Sequence, residues 1–271
     1  MLKDITLGQY YPVNSILHRL DPRTKLFGTL VFIVSLFFCN SWVAYAVATV
    51  FLIMVIKLSH VPFHFMVRGL KAVLFLLLIS VVFNIFLTDG TVVFAIGPLK
   101  ATREGLVLAA FMALRLVYLV VGSTVMTLTT TPNALTDGLE KSLGFLHFIG
   151  VPVHEIAMMM SIALRFIPIL IEEADKIMKA QMARGADFES GNLITKAKAM
   201  VPLLVPLFIS AFRRATDLAM AMEARCYHGG SGRTKMKPLK YRAADHTGYL
   251  ILFLYLGIML YLRIRPVRIT L

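Results

Sequence analysis

The sequence predicts an all-α integral membrane protein with about five transmembrane helices and long amphipathic helices on the cytoplasmic side. Three observations predict it. Hydrophobic residues fill 58% of the 271 positions and charged residues only 16%, against roughly 45–50% and 25% in soluble domains. Apolar runs that approach the roughly 30 Å hydrocarbon thickness concentrate in residues 26–130 and near the C-terminus. Between them, apolar residues recur at helical spacing and the charges gather toward helix ends.

The opening Met1-Leu2-Lys3-Asp4 lacks a cleavable apolar core, so the first span is expected to direct insertion. Leu26 to Ile56 is too long for one span, and Cys39-Asn40-Ser41 breaks it into two short ones, 25–39 and 41–57. A third span is expected over 70–88 and a fourth over 104–130. Thr88-Asp89-Gly90 and Gly97-Pro98 bracket a β-branched stretch, Thr91 to Ile96, expected to form a turn or ribbon between them. A fifth span, 246–262, closes the chain. The expected organisation is therefore a four-span domain, 1–130, a cytoplasmic helical region, 131–245, and a C-terminal span with its tail, 246–271.

Orientation follows from basic residues, which are retained on the cytoplasmic side. Arg19, Arg23 and Lys25 place the N-terminus inside, and Lys57, Arg68 and Lys71 hold the loop between spans two and three inside. Five spans then put Arg263, Arg265 and Arg268 outside, against the rule; either the last span is committed late or the count is off by one. The formal charge of +13 flanks apolar segments instead of covering one soluble face, which suits anionic lipid headgroups and not nucleic acid. Cys39 falls in a membrane turn and Cys226 on the expected cytoplasmic side, so neither a disulfide nor a thiolate metal site is expected.

Three helices are expected within 131–245. Thr131-Pro132-Asn133 opens the first, whose Leu135, Leu139, Leu143 and Leu146 make a face able to lie along a membrane surface before Gly150-Val151-Pro152. The second, 153–184, begins apolar at Met158-Met159-Met160 and turns charged from Glu172, with a kink expected at Pro168. The third, 192–227, contains Pro202 and Pro206 and ends Ala-rich. Gly185 and Gly229-Gly230 are the expected terminators.

The second and third helix ends repeat. A shift of 41 positions superposes Ala174 on Ala215, Ala180 on Ala221, Ala183 on Ala224 and Arg184 on Arg225. The small residues would let the helices cross closely. A lone arginine there is explained by the helix dipole, worth about 0.3–1 kcal/mol. Two arginines in matched small-residue settings point instead to docking of two equivalent partners, since the guanidinium fork pairs bidentately with carboxylates. The 15 methionines fit two readings, gap-filling in a core or an adaptable surface for several partners.

At these residues the chain resembles the transmembrane T-subunit of energy-coupling-factor transporters, ABC-type importers of vitamins and transition-metal ions. Ala183-Arg184-Gly185 and Ala224-Arg225-Cys226 match the family's two Ala-Arg-Gly motifs, with Cys226 replacing the usual glycine. Gly8-Gln9-Tyr10-Tyr11-Pro12, His18-Arg19-Leu20-Asp21-Pro22-Arg23-Thr24-Lys25 and Leu164-Arg165-Phe166-Ile167-Pro168 also resemble it. The resemblance implies a non-catalytic coupling subunit in the plasma membrane of a prokaryote. Its two helix ends would dock into two cytoplasmic ABC ATPases of the EcfA and EcfA′ type, and its helix surfaces would hold a membrane-embedded, substrate-binding S-subunit. It implies no cofactor in this chain, ATP and Mg²⁺ being bound by the ATPases.

Rival chemistries find little footing. Gly229-Gly230-Ser231-Gly232-Arg233-Thr234 lacks the phosphate-loop spacing. Pro62 separates His60 from His64, and His154-Glu155 has no second histidine in the zinc-protease position. Arg115 inside the fourth span would suit a stand-alone carrier or channel, but no carboxylate in the spans completes a relay, so pairing with a backbone or partner group is the simpler expectation.

Overall fold

A computed structural model describes residues 10–39, 41–96, 99–188, 192–230, 236 and 238–264. Gly8-Gln9, part of the Gly229–Thr234 linker, and Arg265 and Arg268 of the tail lie outside the described residues. Among the described residues the regular structure is helical except for one hairpin, and the chain falls into two compact units, Glu140–Pro238 and Gly8–Leu139 with Leu239–Leu271.

The second of these units holds α1 (Ile16–Arg19), α2 (Pro22–Phe37), α3 (Trp42–Ser59), α4 (Phe63–Leu87), α5 (Arg103–Thr129), most of α6 (Pro132–Ser142) and α9 (Ala243–Ile264). Helix boundaries follow from caps. Asp21 accepts the N–H of Arg23 ahead of Pro22, Ser41 accepts that of Ala44, and Thr102 accepts that of Gly105. Between α4 and α5, β1 (Val92–Ile96) pairs antiparallel with β2 (Leu99–Thr102), the expected ribbon.

α5 packs against α4, α2 and α3, and α9 lies against α2 and α3. Phe51 stacks on Tyr255 at 4.3 Å and Tyr45 on Phe111 at 5.2 Å, and the buried Tyr255 hydroxyl meets Ser35 Oγ at 2.7 Å. One end of the unit is closed by polar groups. Asp245, 1% exposed, accepts from the Asp21 N–H at 2.7 Å, the Thr24 hydroxyl at 3.2 Å and the Arg242 N–H at 2.7 Å. Lys25 Nζ donates to Thr129 O at 2.9 Å, bringing the start of α2 to the end of α5. At the opposite end Arg263 covers the Phe38 ring at 4.7 Å. Thus α2 and α9 run parallel, so the helix that closes the chain ends on the side away from the start of α2, as an odd span count requires. Arg115 donates to Cys39 O at 3.4 Å and faces Phe37 at 5.5 Å, so its expected backbone partner is the end of α2.

Length alone identifies a different set of spans from the one expected. α2 has 16 residues, about 24 Å at ~1.5 Å per residue, short of the hydrocarbon thickness. α4 bends between Lys71 and Val73 and counts as one span only when both parts are taken together. The five helices long and apolar enough to cross are α3, α5, α9 and also α7 (Val153–Ala183) and α8 (Leu193–Ala224). The last two make up most of the first unit. Their apolar windows are 6% buried, so these helices leave extensive apolar surface uncovered.

One further difference is local. α6 gives way after Ser142 to a 3₁₀ turn, Gly144–Ile149, where a continuous helix to Gly150 was expected.

Candidate functional site

The residues singled out by the 41-position repeat lie on α7 and α8 within one unit. The helices are antiparallel: Gln181 Nε2, late in α7, reaches Pro202 O, early in α8, at 3.5 Å. A cleft of about 240 Å³ is lined by Ile162, Phe166 and Leu170 from α7 and by Ala215, Leu218 and Met222 from α8. At the crossing, Glu173 Oε2 accepts from Arg214 Nη2 at 2.8 Å and Nε at 3.2 Å, while its other oxygen accepts from the Ser210 hydroxyl.

Glu173 and Arg214 are themselves 41 residues apart, so the repeat is pinned to itself at equivalent positions. Eleven residues separate Glu173 from Arg184, and eleven separate Arg214 from Arg225. Two arms of equal length, about 16 Å each at ~1.5 Å per residue, therefore leave the crossing in opposite directions.

The two arms end identically. In α7 the Ala186 N–H bonds to Gln181 O at 3.0 Å and the Gly185 N–H to Met182 O at 2.9 Å. In α8 the Tyr227 N–H bonds to Met222 O at 3.0 Å and the Cys226 N–H to Glu223 O at 2.8 Å. Both are the paired 6→1 and 5→2 bonds of a Schellman cap, with the arginine at the C-cap and the following residue left-handed. Gly185 has φ +89° and Cys226 φ +56°. Cys226 thus takes the conformation a glycine would take, at a strain of roughly 1–2 kcal/mol. It is Cys226, and not the expected Gly229-Gly230, that ends α8.

Ala183, Arg184 and Gly185 are exposed, as are Ala224, Arg225 and Cys226. Among the described residues neither Arg184 nor Arg225 has an ion pair or side-chain hydrogen bond. The cap bonds occupy the terminal carbonyls, which leaves both guanidinium forks available to a partner. Of the small residues, Ala174 is half-buried beside Glu173 and Ala215 lines the cleft, whereas Ala180 and Ala221 are exposed farther out on the arms.

The ends differ in their surroundings. A pocket of about 430 Å³ at the α8 end is floored by Met158, Ile162, Leu218 and Met222 and rimmed by Arg225, Cys226, Tyr227 and His228. Gly230 then packs directly on the His154 ring, where a Cβ would collide, and His154 Nδ1 meets Glu140 Oε1 at 3.0 Å. Sequence reasoning missed Glu173, Ser210 and Arg214. The signal was present for two of them, because the shift that aligned the arginines also aligns Glu173 with Arg214.

Comparison with known proteins finds relatives along nearly the whole chain. The family model described as CbiQ, cobalt transport protein, matches residues 13–236. The energy-coupling factor transporter transmembrane protein EcfT of Clostridium kluyveri is 58% identical over 247 residues, covering 90% of this chain and 92% of that protein. The protein of the same description from Thermosediminibacter oceani is 55% identical over 249 residues, covering 92% and 94%. That of Bacillus subtilis is 48% identical over 264 residues, covering 97% and 100%.

Proposed function

The chain belongs to the EcfT family of energy-coupling factor transporter transmembrane proteins, and from that premise we propose that it couples two cytoplasmic ABC-type ATPases to a membrane-embedded S-subunit that binds the substrate. The observation that carries this reading is the pair of equal arms, each ending in a Schellman-capped arginine without an ion-pair partner among the described residues. Each guanidinium would enter a groove of one ATPase and pair with a carboxylate there. ATP and Mg²⁺ would be bound by the ATPases, and this chain supplies no catalytic group.

Transmission needs a stiff element. The Glu173–Arg214–Ser210 cluster fixes the crossing point of α7 and α8, so displacement of one arm end turns the other helix with it. Apolar surface on α8 supports an S-subunit contact: Val205, Phe208, Ile209 and Phe212 are all exposed, and Leu170, Phe208 and Phe212 line an open cleft. A large uncovered apolar patch calls for a partner. In this reading the unit of α2–α5 and α9 is the membrane anchor, Glu140–Pro238 faces the cytoplasm of a prokaryote, and the choice of vitamin or other micronutrient belongs to the S-subunit.

ATP-driven uptake in vesicles tests the reading. Arg184→Ala and Arg225→Ala are each expected to abolish or severely reduce uptake while leaving the chain in the membrane. Unimpaired uptake in both variants contradicts it.

A further inference from the structure

We propose that the Leu143–Ile149 turn is a bilayer anchor that seats in the lipid interface at the base of α7. Phe148 is 93% exposed, Ile149 75% and Phe145 61%, with Leu143 exposed beside them. These four large apolar side chains within seven residues are all exposed, Leu143 the least at 37%. Their backbone is closed on itself: the Leu146 N–H bonds to Leu143 O at 2.9 Å, the Gly150 N–H to His147 O at 3.1 Å and the Val151 N–H to Leu146 O at 3.3 Å. Apolar side chains outside and paired peptide groups inside are what a lipid interface demands of a short segment.

The position of the turn along the chain selects lipid as the occupant. Thr129 ends α5, and Lys25 ties that end to the start of α2. α6 begins at Pro132, and a Cβ at its Gly138 would lie only 2.9 Å from Pro22 Cβ, the first residue of α2. Residue 138 is thereby held beside the start of α2, which Lys25 ties to the end of α5, a helix long and apolar enough to cross the bilayer. Leu143 follows five residues later, a reach of about 18 Å even if fully extended. Lys141 and His147, both exposed, suit headgroups, and the aromatic rings suit the boundary beneath them.

The turn stands immediately before Gly150, at φ +83° with open space around it, and Pro152, from which α7 departs. Anchored there, the base of the α7 arm is referenced to the bilayer. The inference rests on the membrane location of the chain and not on ATPase docking.

The test is nitroxide accessibility in the intact complex held in lipid nanodiscs. The exposed Cys226 is replaced by Ser and a spin label is placed by Phe148→Cys, with Val50→Cys on α3 as the lipid-facing reference. High collision with dioxygen and low collision with a water-soluble nickel chelate, matching the Val50 label, is the expected result. High collision with the nickel chelate places the turn in water and overturns the proposal. Low collision with both places it against protein and overturns it equally.

Discussion

Glu173 and Arg214 occupy the same position in two copies of one helix ending and bind each other at 2.8 Å. That self-pairing makes the two arms equal, because a crossing at equivalent positions leaves the same eleven residues to each terminal arginine. The predictions below follow from this relationship and from the caps and buried polar groups around it.

Removal of the crossing pair should disturb coupling more than folding. The Arg214 side chain is 39% exposed, so solvent screens the pair and its thermodynamic coupling is expected to be only about 0.5 kcal/mol. Glu173→Arg and Arg214→Glu singly should depress ATP-driven uptake, and the double exchange should restore much of it. A double-mutant cycle on uptake rates, with melting temperature as the stability readout, checks this.

Cys226 and Gly185 give opposite substitutions at one geometric position. Cys226→Gly should stabilise the α8 end by about 1 kcal/mol, since glycine takes positive φ without the Cβ penalty. Gly185→Ala should cost about as much. Among the described residues, chain neighbours aside, no atom stands within 4 Å of the added methyl, so the expected cost is conformational. Hydrogen exchange at the last turn of each helix reports both changes.

Asp245 is the most demanding polar group of the membrane unit. Its carboxylate satisfies the buried Asp21 N–H and Thr24 hydroxyl and the part-buried Arg242 N–H, and Asp245→Ala would leave them unpaired, at about 1–3 kcal/mol for each truly buried donor. A loss of roughly 3 kcal/mol is expected, seen as early thermal aggregation in mild detergent. Retention of wild-type melting behaviour would show that water replaces the carboxylate.

His18 sets a pH dependence for the segment before α2. Burial, chiefly, lowers its pKa, opposed by its hydrogen bond to Tyr11 O. Nε2 lies 3.0 Å from that carbonyl and Nδ1 2.7 Å from Ser15 Oγ, an arrangement that suits the neutral ring donating through Nε2 and accepting through Nδ1. A folded value below the unfolded ~6.5 means the contribution is fully present above that pH and is lost as pH falls through the folded value. Proteolysis of residues 10–20 should therefore accelerate as pH falls below about 6.5, and His18→Gln should flatten the profile.

The sequence made several features legible because their determinants are local. The break at Cys39-Asn40-Ser41, the ribbon after Thr88-Asp89-Gly90, and the matched arginines can all be read within a few residues of chain. Cys226 was not legible as a left-handed residue, since cysteine carries no conformational signature and the nearby glycines offered a more obvious stop. The Asp21–Asp245 contact joins residues 224 apart, and no short-range pattern announces it. Span identity was the least legible feature: α7 and α8, expected on the cytoplasmic side, are as long and apolar as spans, and apolar content does not separate a helix covered by protein from one covered by lipid.

The most direct measurement is purification of this chain from its native membrane in mild detergent, with mass spectrometry of the proteins that accompany it. Wild type is compared with the Arg184→Ala, Arg225→Ala double variant. Recovery of ABC-type ATPases with wild type and their loss from the double variant is the predicted result. ATPases retained at full stoichiometry by the double variant, or absent from both preparations, would contradict docking through the two arms.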